Sequence, residues 1–194
     1  MADDLLILAS ASPRRCELLR TLVPRFEVCP CELSEPNEKP AGVSPRGWAE
    51  ALAHFKARAV AEHHPHRWVL GADTVVTCRQ RLLGKPRDRQ DARRMLTLQA
   101  GRPSDVITGL CLLRCTDGVE RLFHAELTRV WMRADRAQLE AYLQSGDWRG
   151  KAGAYGIQNA HDQLIAHVEG SFSNVVGLPL DAVGRLLQRA QTLG

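Results

Sequence analysis

A short stretch near the N-terminus carries two adjacent arginines at a predicted helix start. The stretch from Leu8 to Arg15 reads LASASPRR, between an apolar strand candidate and leucines spaced as one helix face. Ser12 is a good N-cap and Pro13 suits the first helical position, so Arg14 and Arg15 fall in the first turn. Cations are mildly unfavourable at this end of a helix dipole, whereas guanidinium groups bind phosphate in a bidentate manner. The pattern indicates a polyanionic ligand; the alternative is a surface helix start with two solvated arginines.

An aspartate interrupts the strongest strand candidate, residues 68–77. A carboxylate inside an apolar strand is costly to bury unless it is paired, protonated or bound to a metal. Gly71 removes a side chain two positions before Asp73 on the same strand face. The pattern favours a functional Asp73 over an edge strand whose carboxylate faces water.

Lysines are rare in this chain, because only four of its 26 basic residues are lysines. A compact ammonium group in a tight site is not replaceable by a planar guanidinium. Three of the four lie in segments that carry other functional signals, and the alternative is four surface lysines without a role. The four are Lys39, Lys56, Lys85 and Lys151.

The composition is typical of a globular protein, with 44% hydrophobic and 25% charged residues. The length predicts a single α/β domain over residues 1–194. Without a membrane-length apolar run or a signal peptide, we expect a cytoplasmic protein with no membrane partner. The net charge of +4 is mild, the arginines are scattered and aromatic residues make up 5%, which argues against a nucleic-acid partner. Six cysteines without a C-x-x-C pair are interpreted as reduced thiols.

The hydrophobic pattern predicts the elements that position these residues. Strands are predicted over 5–8, 26–31, 68–77, 106–113, 122–132 and 164–168. Helices are predicted after 12, over 48–61 and 91–98, before Gly146 and after Pro179. Residues 32–47 hold three prolines and two glycines and are predicted to form a loop, and 170–179 a polar turn.

Five motifs follow one another along nearly the whole chain and closely resemble those of the Maf family of nucleoside triphosphate pyrophosphatases. They are LASASPRR at 8–15, GADTVV at 71–76, GKP at 84–86, KAGAYGIQ at 151–158 and GSFSNVVGLPL at 170–180. The resemblance implies a long twisted mixed sheet with flanking helices, in two lobes around a cleft, similar to the inosine triphosphate pyrophosphatase-like fold. It also implies hydrolysis of a nucleoside triphosphate to the monophosphate and pyrophosphate with a divalent metal cation (Mg, Mn or Co), and often a homodimer.

The resemblance assigns a substrate-binding set and a catalytic set of residues. The residues matched to phosphate binding and base specificity are Ser10, Arg14, Arg15, Thr74 and Gln158. The residues matched to catalysis are Glu35, Lys56, Asp73 and Lys85. Glu35 and Asp73 are the candidates for holding the metal, and Asp73 is alternatively the base that accepts the proton of water.

Two positions depart from the family pattern beside the predicted base-recognition loop. Gly150 stands where Asp is frequent, and Asn159 stands where Gly is frequent. The leading hypothesis is a pyrophosphatase that prefers dTTP and UTP, because the amide of Gln158 can both donate to and accept from a pyrimidine edge. The alternatives are a 7-methyl-GTP pyrophosphatase of the same family and a non-catalytic nucleotide-binding regulator of septum formation.

Overall fold

The computed structural model describes residues 5–36, 38–157 and 164–192. Within these residues, seven strands form one sheet in the order β2-β1-β3-β5-β6-β7, with β4 paired to β3. The strands are β1 (Ile7–Leu8), β2 (Glu27–Val28), β3 (Val69–Cys78), β4 (Arg81–Leu83), β5 (Pro103–Cys115), β6 (Val119–Met132) and β7 (Ile165–Glu169). β1 pairs in parallel with β2 and β3, whereas β4 and β7 pair antiparallel with β3 and β6. The predicted α/β class with a mixed sheet is confirmed.

Helices connect the strands and flank the sheet. They are α1 (Pro13–Leu22), α2 (Pro45–Ala61), α3 (Arg89–Gln99), α4 (Arg136–Ser145), α5 (Phe172–Val176) and α6 (Leu180–Gln191), with a 3-10 turn at Ala152–Ala154. α1 begins at the proline that the sequence predicts, and α4 ends before Gly146, which adopts a left-handed φ of 78°. In the described part of the chain, no helix has the length and apolar character that crossing a membrane requires.

Several predicted elements differ from the structure in their bounds or type. α2 begins at Pro45 and not at 48, because the Ser44 hydroxyl accepts a hydrogen bond from the Gly47 N–H at 3.0 Å and proline suits the first helical position. The predicted turn at 170–179 contains α5, where the Ser171 hydroxyl accepts from the Asn174 N–H at 3.2 Å. β2 spans only two of the six residues predicted as a strand, because its partner β1 is equally short.

The chain divides into two compact units, of which the first comprises residues 1–73, 108–126 and 177–194. Alternate residues of β3 enter two separate cores of this unit. Leu70 packs in the core that α1 and α6 cover, whereas Val69 packs in the core that α2 covers. Because alternate strand residues point to opposite faces, helices lie on both faces of this part of the sheet.

The second unit comprises residues 74–107 and 127–176. Its core is formed by the second half of β3, by β4, by parts of β5 and β6, and by α3 and α4. Met95 and Leu96 of α3 and Leu143 of α4 are buried there, on the apolar positions that the sequence pattern predicts. Met95 and Leu96 share this core with Val76 of β3.

Candidate active site

Two glycines allow α2 to lie unusually close to the sheet. A Cβ at Gly71 in β3 would overlap the carbonyl oxygen of Ala53 and would lie 2.9 Å from the Cβ of Ala57. A Cβ at Gly109 in β5 would overlap the backbone of Ala49. Both glycines are therefore required for the close packing of α2, since any side chain at these positions would push the helix away from the strands.

This close packing brings Lys56 of α2 to Asp73 of β3. Lys56 Nζ donates to Asp73 Oδ1 at 2.6 Å and lies 3.2 Å from Glu35 Oε1. Lys56 and Asp73 are 7% and 8% exposed, whereas Glu35, on the loop between β2 and α2, is half-buried. A buried carboxylate needs a partner. The structure therefore joins three of the four residues that the resemblance assigns to catalysis.

A second cluster lies between β1 and α1 in the same unit. Arg15 donates from Nε to the carbonyl of Gly177 at 2.8 Å and from Nη1 to the Ser10 hydroxyl at 3.3 Å. Burial lowers the pKa of the Arg15 guanidinium, and the nearby carboxylates of Asp73 and Glu35 oppose this shift. An arginine remains charged under these conditions. The cluster therefore holds a fixed cation within electrostatic reach of the acidic pair.

The other predicted site residues have different placements. Arg14 is exposed in the first turn of α1, beside Arg15. Thr74 is half-buried and follows Asp73 in β3, so the two side chains alternate across the strand. Lys85 is exposed on the loop after β4 and belongs to the second unit. Gln158 lies outside the described residues.

The acidic pair fits a hard divalent cation. Mg²⁺ is usually bound through one or two carboxylates together with substrate phosphates, and Glu35 and Asp73 offer such a pair. Among the described residues, no group of three or more Asp, Glu, His or Cys side chains is suited to hold a metal ion.

Sequence reasoning missed two residues of this region. Gly109 allows α2 to pack closely on β5, and a glycine inside a predicted strand is the signal that could have identified it. The carbonyl of Gly177 anchors Arg15 across 162 positions of sequence. No local pattern predicts such a pair, although Gly177 belongs to the last of the five motifs.

The sheet and its helices are similar to those of a solved protein of low sequence identity. The structure of the Staphylococcus aureus Ham1 protein matches with a TM-score of 0.54, over 97% of this chain and 98% of that chain, at 11% identity. This likeness concerns the fold alone. It defines the class of the molecule as an α/β protein with a Ham1-like sheet, as the resemblance implied.

The chain belongs to the Maf family, since the family model described as Maf-like protein matches residues 5–190. It is 46% identical over 189 residues to a dTTP/UTP pyrophosphatase of Myxococcus xanthus, covering 97% of this chain and 93% of that protein. It is 43% identical over 189 residues to a dTTP/UTP pyrophosphatase of Koribacter versatilis, covering 97% and 95%. A dTTP/UTP pyrophosphatase of Geobacter sulfurreducens is 41% identical over the full length of both chains. The family resemblance drawn from the five motifs is confirmed.

Proposed function

We propose that this protein hydrolyses nucleoside triphosphates, with dTTP and UTP preferred, to the nucleoside monophosphate and pyrophosphate. The observation that carries the proposal is the ammonium group of Lys56 held between Asp73 and Glu35, with Arg15 in electrostatic reach. The names of the full-length relatives support the choice of dTTP and UTP. Water attacks the α-phosphorus, the bond to the bridging oxygen breaks, and pyrophosphate leaves.

Positive groups neutralise the phosphates in this proposal. Arg14 and Arg15 lie in the first turn of α1. The first N–H groups of a helix have no partner within the helix, so this end of α1 favours a bound phosphate. Ser10 orients Arg15 through its hydroxyl at 3.3 Å. Lys85 supplies a further ammonium group to the triphosphate.

Asp73 accepts the proton of the attacking water. Its Oδ1 is engaged by Lys56 at 2.6 Å, so the proton passes to Oδ2. Lys56 holds the carboxylate in one orientation before the reaction. A positioned base of this kind contributes roughly 10²–10⁴-fold to a rate.

A divalent cation, Mg²⁺, Mn²⁺ or Co²⁺, would be held by Glu35 together with Asp73 and would stabilise negative charge that develops on the phosphates. The carboxylate oxygens that these residues present are the ligands that such cations prefer. The role of Glu35 in this proposal is to hold the cation, and holding the cation is the alternative to the role of Asp73 as the base.

The decisive experiment is a panel of nucleoside triphosphates incubated with Mg²⁺, Mn²⁺ or Co²⁺, with the products identified by mass. Release of pyrophosphate from dTTP and UTP supports the proposal. A preference for 7-methyl-GTP would instead support the other branch of the family. Tight nucleotide binding without any product would indicate a regulator of septum formation. In that case Asp73 and Glu35 would have no catalytic role and their negative charge would oppose binding of the triphosphate, which is why we favour hydrolysis.

A further inference from the structure

Gln99, the last residue of α3, is a buried amide that no proposed catalytic step uses. It is 4% exposed. Its Nε2 group donates to the carbonyl of Met95 at 3.1 Å and to the carbonyl of Gly153 at 2.7 Å. The first bond lies within the helix, whereas the second reaches 54 positions along the chain into the KAGAYGIQ motif. Both amide hydrogens are thereby used.

Gly153 is held on its other side as well. Its N–H donates to the carbonyl of Gly84 at 3.0 Å. Its φ is +71°, and a Cβ would lie 3.1–3.3 Å from the side chain of Val76, so the position favours glycine by conformation and by space. One peptide unit on either side of Gly153 therefore connects the end of α3 to the loop that follows β4.

That loop carries Lys85. The preceding Gly84 is fixed through its carbonyl by Gly153, and the following Pro86 is buried, while Lys85 itself is exposed. The backbone around Lys85 is therefore fixed on both sides although its side chain reaches into solvent. If the Gln99 amide orients this loop, it also determines the direction in which the Lys85 side chain extends from the backbone.

We propose that Gln99 is a positioning residue that acts through the Gly153 peptide on Lys85. The proposal rests on the proposed function, in that Lys85 is taken to bind the triphosphate. Loss of the Gln99 amide leaves the Gly153 carbonyl without this donor inside the core. The peptide between Gly153 and Ala154 then keeps the bond from the Ala154 N–H to the Lys151 carbonyl at 3.0 Å but is less firmly held on its carbonyl side. A shift of Gly153 also moves its N–H, which belongs to the preceding peptide and donates to the Gly84 carbonyl. Lys85 then no longer meets the phosphates in one geometry. Small displacements of a positioned group lower rates strongly.

A double-mutant cycle tests this relationship. The variants are Gln99→Met, Lys85→Ala and the double variant, with Gln90→Met as a control because Gln90 is an exposed glutamine of the same helix. The cycle is repeated with Gln99→Asn, whose shorter amide does not reach Gly153. Circular dichroism and thermal unfolding establish the folded fraction of each variant, and kcat/KM for dTTP is measured below the unfolding transition.

We expect Gln99→Met and Gln99→Asn to lower kcat/KM by about tenfold or more in the wild-type background. In the Lys85→Ala background the same substitutions should lower kcat/KM by less than about threefold, since the ammonium group that Gln99 positions is absent. Gln90→Met should match the wild type. Equal losses in both backgrounds would overturn the proposal, because they would mean that Gln99 acts only on stability or through another residue.

The same cycle is measured on the dissociation constant of a non-hydrolysable dTTP analogue. A Gln99 substitution should weaken its binding only when Lys85 is present, and equal weakening in both backgrounds contradicts the role of Gln99. This binding measurement separates the positioning role of Gln99 from the proposed hydrolysis. A wild-type protein that binds the analogue but releases no pyrophosphate would refute the proposed hydrolysis, whereas the binding cycle would still decide for or against Gln99.

Discussion

Lys56 Nζ lies 2.6 Å from Asp73 Oδ1, and both residues are more than nine-tenths buried. Neither charge is tolerated alone at such a position, because removal of one partner leaves the other buried and uncompensated. Glu35 adds a second carboxylate 3.2 Å from the same ammonium group. Lys56 therefore contacts both carboxylates through one ammonium group.

The first prediction concerns Asp73. Asp73→Asn keeps the shape of the side chain but removes the base and weakens binding of the cation. We expect turnover of dTTP to fall by about two or more orders of magnitude. The fold should persist, because the Glu35 carboxylate still lies 3.2 Å from the Lys56 ammonium group. The measurement is kcat with circular dichroism as the check of folding. Asp105→Asn, which changes an exposed ion pair with Arg129, is the matched control and should retain activity. Near-normal turnover in Asp73→Asn would remove this residue from the catalytic set.

The second prediction concerns the lysines. Lys56→Arg and Lys85→Arg keep the charge and change the shape of the cation. Since a guanidinium does not fit the place of a compact ammonium group, we expect kcat/KM to fall about tenfold or more in each variant. Lys39→Arg is the control, because Lys39 Nζ donates only to loop carbonyls at Pro40 and Val43 among the contacts that the structure describes. Wild-type behaviour of both test variants would show that neither lysine occupies a tight site.

The third prediction concerns the close contact between Gly71 and α2. Gly71→Ala places a Cβ on the carbonyl of Ala53, so the helix must move outward. We expect a loss of about 1–3 kcal/mol in the free energy of unfolding, the usual scale for overpacking. Activity should fall too, because Lys56 moves with the helix. Gly118→Ala is the control, since a Cβ there meets nothing within 4 Å. Urea unfolding of both variants decides the matter, and equal stabilities would contradict the close packing.

The fourth prediction concerns pH and His54. Burial lowers the pKa of His54, and Arg121 and Arg58 lower it further. Its Nε2 is buried without a hydrogen-bond partner among the described residues. The folded state therefore favours the neutral ring. The stability that the neutral ring confers is present above the ordinary pKa of about 6.5 and is lost as the pH falls toward the folded-state pKa.

His54→Phe keeps an aromatic ring beside Phe123, whose ring centroid lies 5.6 Å away, and removes the titrating group. We expect its free energy of unfolding to depend less on pH than that of the wild type between about pH 7 and about pH 5. His63→Gln, at an exposed histidine two residues after the end of α2, is the control. An unchanged pH dependence in His54→Phe would show that this ring does not contribute to acid destabilisation.

The fifth prediction concerns the base and depends on sequence alone, because Gln158 lies outside the described residues. A glutamine amide satisfies both the carbonyl and the N–H of a uracil or thymine edge, whereas a carboxylate suits the donors of guanine. Gln158→Glu should therefore erode the preference for dTTP and UTP. The measurement is kcat/KM for dTTP, UTP, CTP, GTP and 7-methyl-GTP with both proteins. A variant that keeps the full pyrimidine preference would show that Gln158 does not recognise the base.

The sequence by itself determined the features that depend on neighbouring residues. Ser12 and Pro13 predict the start of α1, which begins at Pro13, although the Ser12 side chain makes no capping hydrogen bond within the described residues. The carboxylate of Asp73 in an apolar strand indicates a functional residue before any partner is known. The five motifs together predicted the family. Each of these signals is local, and each was found without knowledge of packing.

Only the tertiary structure decided which residues distant in the sequence come into contact. The pair of Lys56 and Asp73 is 17 positions apart, and the contact of Gln99 with Gly153 spans 54 positions. Neither follows from periodicity or composition, because such contacts depend on how closely α2 and α3 pack on their neighbours. Gly109 shows the same limit, since its role is defined by the backbone of Ala49, which approaches from another element. Local hydrogen bonds and hydrophobic patterns determine where elements begin, whereas close packing between distant segments determines which side chains form a site.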